Sequence, residues 1–251
     1  MRKRQTQILD IIGERKRVTV LELAEQLKVS DVTVRKDLSV LEERGLLKRE
    51  HGFATLPESD DISTRLTINY DIKRRIVRRA LESIRDGETV MIESGSTCAL
   101  LAEELATNRR DVTIVTNSVF IATFTREKLG ARIILLGGEF QREAQVMVGP
   151  LVKKCAENFF VDKFFCGTDG FNEFGAMAGD MMRAEAVRHM AQSARRAIIL
   201  TESKKFSQAG VVPLLPYKEI DTIYTDEQIS DAVAESLTGK GVTLDKVAQI
   251  N

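Results

Sequence analysis

The 251-residue sequence predicts a small three-helix-and-hairpin domain followed by a mostly parallel α/β domain. Three observations predict it. Apolar residues in the first 50 positions recur at helical spacing between capping residues and turns. A polar, turn-prone stretch, Pro57-Glu58-Ser59-Asp60-Asp61, then interrupts the pattern. Beyond it, short continuous apolar runs alternate with helical stretches, the pattern of strands covered on both faces. The predicted division is residues 1–57, a linker and connecting helix over 58–86, and 87–251.

Ile8, Ile11 and Ile12 share one side of a first helix over residues 2–13, which Gly13 is expected to stop beside the basic turn Arg15-Lys16-Arg17. Val18-Thr19-Val20 is a short β-like piece. A second helix over 21–28 carries Leu23, Ala24 and Leu27, and Val29-Ser30 makes the turn. The third helix, 30–44, is capped by Ser30 and lines up Val34, Leu38 and Leu41 at i, i+4 and i+7. After Gly45, residues 46–49 and 52–55 read as two short strands.

Three helices and a hairpin make a winged helix-turn-helix, although a protein-interaction module has the same outline. Chemistry favours DNA. Arg35 and Lys36 on the third helix, and Lys48, Arg49 and His51 on the wing, suit phosphates and groove edges. Through residue 56 there are 12 Lys/Arg against 9 Asp/Glu, in a chain whose net charge is zero. Asp37 would repel phosphate and is expected to pair with a base inside the domain, near the first helix.

A helix over 70–85 places Ile72, Ile76, Ala80 and Ile84 on one side and Lys73, Arg74, Arg75, Arg78 and Arg79 around the other. That basic face is either solvated or a contact for DNA or an acidic partner. Strands are predicted at 89–92, 112–115, 132–136, 163–167, 197–200 and 222–224, with a last helix and strand over 230–251. Ligands of parallel sheets bind beyond the carboxyl ends of the strands. Those ends supply Glu93-Ser94-Gly95-Ser96-Thr97, Thr116-Asn117-Ser118, Gly137-Gly138, Gly167-Thr168-Asp169-Gly170 and residues 201–206. The first of these runs into an apolar helix over 98–105, which makes it either a phosphate cradle or an ordinary capped turn.

Ser30-Asp31-Val32-Thr33-Val34-Arg35-Lys36-Asp37-Leu38, then Leu41-Glu42 and Gly45, resembles the signature of the DeoR/GlpR family of bacterial transcriptional regulators. Arg49-Glu50-His51-Gly52 stands where that family's wing has an arginine and then a Gly-Gly pair, with His51 in place of one glycine. The resemblance makes Ser30, Thr33, Arg35, Lys36, Lys48, Arg49 and His51 the expected DNA contacts. It extends to an effector domain related to ribose-5-phosphate isomerase of type A. Residues 93–97 stand for the family's Asp-Ala-Gly-Ser-Thr, residues 167–170 match its Gly-Thr-Asp-Gly, and 203–206 are similar to its Ser-Lys-Phe, with Lys205 as the family lysine and Lys204 in place of a serine. Arg183 and Glu185 resemble the isomerases' Arg-Glu segment. One carboxylate, Asp169, stands where the isomerase motif has two, so binding without turnover is expected.

The implied effector is a phosphorylated sugar, held by Glu93, Gly95, Ser96, Thr97, Thr116, Asn117, Gly137, Gly138, Thr168, Asp169, Glu185 and Lys205. The implied partner is double-stranded operator DNA, bound by a homodimer or homotetramer. An isomerase and a non-enzymatic interaction module remain the competing readings. No cofactor is expected and no metal site is assigned: with two histidines a histidine-rich site is excluded, although carboxylate sites are not, and the three cysteines, Cys98, Cys155 and Cys166, are widely spaced. Without an apolar leader or long apolar run, a cytoplasmic protein with no membrane partner is expected. Met177, Met181, Met182 and Met190 are expected to pack and not to bind a cofactor, and His189 to sit at the surface or be satisfied within a helix.

Overall fold

A computed structural model describes residues 3–50, 52–56 and 62–248. The chain forms two compact units, Met1–Asp71 and Ile72–Asn251. Each has its own apolar core.

In the first unit, helix α1 spans Lys3–Arg15, strand β1 Arg17–Thr19, α2 Val20–Leu27, α3 Asp31–Glu43, β2 Lys48–Glu50, β3 Phe53–Thr55 and α4 Ile62–Thr67. Helix α1 passes through Gly13, against expectation, and stops where Lys16 turns to φ 62°. Helical hydrogen bonding, which glycine weakens but does not forbid, carries the helix to that turn. Thr19 caps α2 with a reciprocal bond to Glu22, the capping-box arrangement. Ser30 caps α3, and Val34, Leu38 and Leu41 are buried on one face as their spacing requires. Strands β1, β3 and β2 form an antiparallel sheet in that order, leaving β2 at an edge. The hairpin begins two residues later than predicted, because Leu46 and Leu47 turn inward to fill the core instead of pairing.

Helix α5, Tyr70–Leu81, begins at the boundary between the units. Its basic face is engaged within the second unit: Arg74 pairs with Glu104 at 2.5 Å, Arg79 with Asp245 at 3.0 Å, and Arg75 donates to the Ala248 carbonyl at 2.8 Å. Arg109 donates to the Leu81 and Ile84 carbonyls and so closes the carboxyl end of that helical segment.

The second unit continues as β4 Thr89–Ile92, α6 Ser96–Asn108, β5 Val112–Thr116, α7 Val119–Phe124, β6 Ala131–Leu135, β7 Glu139–Gln141, β8 Val146–Val148, α8 Pro150–Ala156 and β9 Val161–Cys166. It is completed by β10 Gly170–Phe171, β11 Gly175–Ala178, α9 Met181–Gln192, β12 Ala194–Leu200, β13 Val212–Pro216, β14 Ile220–Asp226, α10 Asp231–Gly239 and β15 Thr243–Val247. Seven strands make one sheet in the order β15-β14-β12-β9-β4-β5-β6. Every pairing in it is parallel. Consecutive residues Phe164 and Phe165 are both fully buried, as are Val90, Met91 and Ile92. Successive side chains point to opposite faces, so these strands are covered on both sides.

All six strands read from the sequence belong to this sheet, and β15 completes one edge. The β7–β8 hairpin and a small antiparallel sheet, β10-β11-β13, are additions without a sequence signal. Met177 and Met190 are buried and Met182 packs against a small cluster around Val146 and Val148, but Met181 is 66% exposed. Its place as the first residue of α9, on the turn facing solvent, overrides its apolar character.

Candidate functional site

The first unit presents α3 and the wing on one continuous piece of chain. Ser30 Oγ accepts from the Thr33 N–H at 3.4 Å and lies 3.0 Å from Thr33 Oγ1, so both hydroxyls are held at the helix start. Arg35, Lys36 and Lys48 are exposed. His51 lies outside the described residues. Asp37 is buried and paired as expected: Arg4 Nε donates at 2.5 Å to one carboxylate oxygen and Gln5 Nε2 at 3.1 Å to the other. The recognition face is thereby rid of that negative charge, and α1 is fastened to α3.

Arg49 is less free than a wing arginine reading predicts. Its Nη1 donates to Ser39 Oγ at 2.6 Å and sits 3.7 Å from Glu42 Oε2, while its backbone N–H donates to Glu42 Oε1 at 2.9 Å. Arg17 lies over the Phe53 ring at 3.8 Å, tying β1 to β3 through a cation–π contact.

In the second unit, the chain runs from β4 outward to β5 and β6, then returns to the other side of β4 with β9, β12, β14 and β15. Strand order therefore reverses between β4 and β9, and the crevice beyond their carboxyl ends is where such sheets hold ligands. Glu93 follows β4 and Gly167 follows β9. Glu93 Oε2 accepts N–H bonds from Gly95 at 2.6 Å and from Gly167 at 3.3 Å, so one carboxylate joins the two loops. A Cβ on Gly167 would meet the Gly95 Cα at 3.8 Å, a measure of how closely the loops pass.

Gly95 also precedes α6 and, lacking a side chain, gives it no cap. The first helical bond runs from the Ala99 N–H to the Gly95 carbonyl, so the amides of Ser96, Thr97 and Cys98 precede the helical ladder. With the helix dipole they form positive potential beside the switch point. Cys98 and Cys166 are buried near Glu93; burial first, then the negative Glu93, raises both thiols well above their ordinary range and keeps them neutral.

The other strand-end residues divide. Asn117 is buried at the end of β5; its Nδ2 donates to the Met147 carbonyl at 2.9 Å, and its Oδ1 has no hydrogen-bond partner among the described residues. Thr116 Oγ1 accepts from the Ser118 N–H at 3.1 Å. The Thr168 hydroxyl shares its one proton between the Gly170 and Met177 carbonyls, at 2.7 and 2.8 Å, and Asp169 accepts from the Gly179 N–H at 2.8 Å. Gly137 and Gly138 follow β6, two strands from β4. A Cβ on Gly138 would lie 2.6 Å from the Val148 carbonyl oxygen, so the β7–β8 hairpin packs directly on that backbone. Glu185 lies on α9, with His189 Nε2 at 3.5 Å.

Lys205 sits in a 3-10 turn, Ser203–Ser207, after β12, the neighbour of β9. Asp226, absent from the sequence reading, secures this turn: its two oxygens accept from the Ser203 N–H and Oγ, each at 2.7 Å. It lies at the end of β14 beside β12, a pairing that the 23-residue separation hides. Phe206 stacks on Phe171 at 4.3 Å and fastens the turn to β10. Lys204 is exposed and 3.3 Å from Glu202, so its charge is matched locally. Among the described residues, no cluster of three His, Cys, Asp or Glu side chains could hold a metal ion.

Residues 4–60 match the DeoR-like helix-turn-helix domain, and residues 68–227 match the DeoR C-terminal sensor domain. The HTH-type transcriptional repressor GlcR of Bacillus subtilis is 31% identical over 246 residues, covering 96% of this chain and 95% of that protein. The glycerol-3-phosphate regulon repressor of Escherichia coli K12 is 29% identical, covering 97% and 98%. The L-fucose operon activator of Haemophilus influenzae is 27% identical, covering 92% and 94%. Among solved structures, ribose 5-phosphate isomerase A of Methanocaldococcus jannaschii aligns with a TM-score of 0.41 and 19% identity, covering 55% of each chain.

Proposed function

Because the chain belongs to the DeoR family of transcriptional regulators, we propose that it represses a carbohydrate-metabolism operon and releases operator DNA when a phosphorylated sugar binds its sensor domain. It is a regulator and not an enzyme. The working division is 1–57 for DNA, 58–86 as linker and connecting helix, and 87–251 for the effector.

On the DNA side, Ser30, Thr33, Arg35 and Lys36 meet the major groove, and Lys48, Arg49 and His51 contact the backbone beside it. Symmetric half-sites require at least a homodimer, with a homotetramer built from two of them. The protein acts in the cytoplasm, where operator DNA is; no helix among the described residues is long and apolar enough to cross a membrane.

One observation carries the effector reading: the single Glu93 carboxylate that joins the loops on either side of the strand-order reversal, next to the uncapped start of α6. This splits the site by charge. A phosphate would be repelled by Glu93 and belongs at the amides of Ser96, Thr97 and Cys98, with Lys205, on the turn after β12, the proposed cation for it. Sugar hydroxyls need acceptors, which Glu93, Asp169 and the unpartnered Asn117 Oδ1 supply. Thr116, Gly137, Gly138, Thr168 and Glu185 complete the proposed lining or hold its loops.

The test is fluorescence anisotropy of labelled duplex from upstream of this protein's own gene, titrated with protein and then with a panel of phosphorylated sugars and their unphosphorylated parents. Release by a phosphorylated compound and not by its parent is expected. Release by the parent sugar alone would overturn the phosphate assignment, and failure to bind any duplex at low salt would overturn the DNA reading.

A further inference from the structure

Strand β2 lies at the edge of the wing sheet, so one side of its backbone has no strand partner among the described residues. Edge amides of that kind seek another acceptor. The Arg49 N–H finds Glu42 Oε1, on the last turn of α3, at 2.9 Å. The same carboxylate places its second oxygen 3.7 Å from Arg49 Nη1, and Nη1 donates to Ser39 Oγ at 2.6 Å. Ser39 Oγ in turn donates to the Arg35 carbonyl at 2.9 Å. A chain of polar contacts thus runs from the wing backbone through Glu42, the Arg49 guanidinium and Ser39 to the Arg35 carbonyl of α3.

Glu42 is 42% exposed and lies on the surface that, under the DNA-binding reading above, must approach phosphates. Electrostatics alone makes an acidic group there a liability to binding. Its geometry gives it a different use. We infer that Glu42 is a positioning residue of the DNA-binding surface, locking the wing to the recognition helix and aiming Arg49, so that both elements meet one stretch of duplex in a fixed relation. Preorganisation of this kind favours the specific complex, in which helix and wing must be in register with the DNA together. Non-specific binding, which depends on summed charge and tolerates loose geometry, gains nothing from it. The inference rests on the proposed DNA interface, and the two are separable by experiment.

The two roles predict opposite signs. Glu42→Ala removes a negative charge from the interface and also removes the acceptor for the Arg49 N–H. Glu42→Gln removes the charge and keeps a carbonyl oxygen for that bond. The probes are a duplex selected by the wild-type full-length protein from a randomised library and a scrambled duplex of equal length. For the selected duplex, Glu42→Ala is expected to bind about tenfold more weakly than wild type, and Glu42→Gln within about threefold of it. The scrambled duplex is expected to bind both variants as well as, or more tightly than, wild type.

A Glu42→Ala variant that binds the selected duplex as tightly as wild type, or more tightly, overturns the inference and leaves Glu42 a repelling surface group. Equal weakening of both variants on both duplexes, with a lowered melting temperature, assigns Glu42 to folding alone and also overturns it. If wild-type protein selects no sequence from the library, the DNA-binding reading falls first and the inference with it.

Discussion

Asp37 and Asp10 show opposite treatments of a carboxylate within one unit. Asp37 is buried with a donor on each oxygen, Arg4 and Gln5. Arg4 keeps 29% of its side chain exposed, which screens the pair and moderates its worth. Replacing Asp37 by Ala removes the acceptor of both bonds and is expected to cost about 1–3 kcal/mol of local stability. Hydrogen exchange of the full-length protein reads this as faster exchange of the α1 and α3 amides, and unchanged protection there would refute the clamp. Asp10 is half-buried and its carboxyl is raised to about 6, first by burial and then by the negative charge of Asp71, against the opposing help of the Asp71 and Tyr70 backbone N–H groups. An acid raised in the folded state favours folding most below its unfolded pKa and loses that contribution as pH climbs through the folded value. Its share of stability is therefore full below about pH 4 and gone above about pH 6. After discounting for its exposed fraction, Asp10→Asn is expected to gain about 1–2 kcal/mol over wild type at pH 7 and to lose that advantage at pH 4. Thermal melts at the two pH values decide it: a constant difference would show that Asp10 does not titrate in this window.

At the scale of elements, two glycines beyond strand ends look alike in sequence and differ in what constrains them. A Cβ on Gly138 would meet the Val148 carbonyl oxygen at 2.6 Å and Val152 Cγ2 at 2.9 Å, which are parts of a packed hairpin and helix. A Cβ on Gly95 would meet Glu93 Oε2 at 2.9 Å, the far end of a flexible side chain. The α6 start can therefore absorb an added methyl by moving the carboxylate, at the expense of its bonds to the Gly95 and Gly167 amides. Gly95→Ala is expected to keep its fold while weakening the releasing sugar phosphate by about tenfold or more, the worth of one to two hydrogen bonds. Gly138→Ala is expected to lower the melting temperature itself. Calorimetric titration of Gly95→Ala with normal affinity would mean that the Glu93 bridge does not shape the site.

Across the whole molecule, legibility followed the length and monotony of the apolar signal. Central strands such as Val161–Cys166 are buried along nearly every residue and announce themselves as runs. The sheet of β10, β11 and β13 does not, because three of the four residues of β11, Gly175, Ala176 and Ala178, are small and β13 carries two prolines. The strand ends where a ligand would be held were readable from the alternation alone. The contacts made there were not: Glu93 to Gly167, Ser203 to Asp226 and Arg74 to Glu104 join segments that only the strand order and helix packing bring together. The helix start at Ser30 and the inward turn of Asp37 were readable because caps and helical faces are local; the Glu42–Arg49 clasp needed the wing's edge to be known.

The proposed regulator has two sites on two units, and any influence of one on the other is a free energy shared by both. If a sugar phosphate weakens operator binding by some factor, operator DNA must weaken sugar-phosphate binding by the same factor. The usual scale is about 1–3 kcal/mol, or roughly 5- to 150-fold. We expect the full-length protein to bind its releasing compound more weakly in the presence of saturating operator duplex, by the factor that anisotropy measures for DNA release. A scrambled duplex at the same concentration should have little effect, since it does not engage α3 and the wing in register. Equal sugar-phosphate affinity with and without operator, alongside clear release of DNA, would break that reciprocity, so the release could not come from the compound measured on the protein, and the sensor site at the β4–β9 reversal would leave the mechanism.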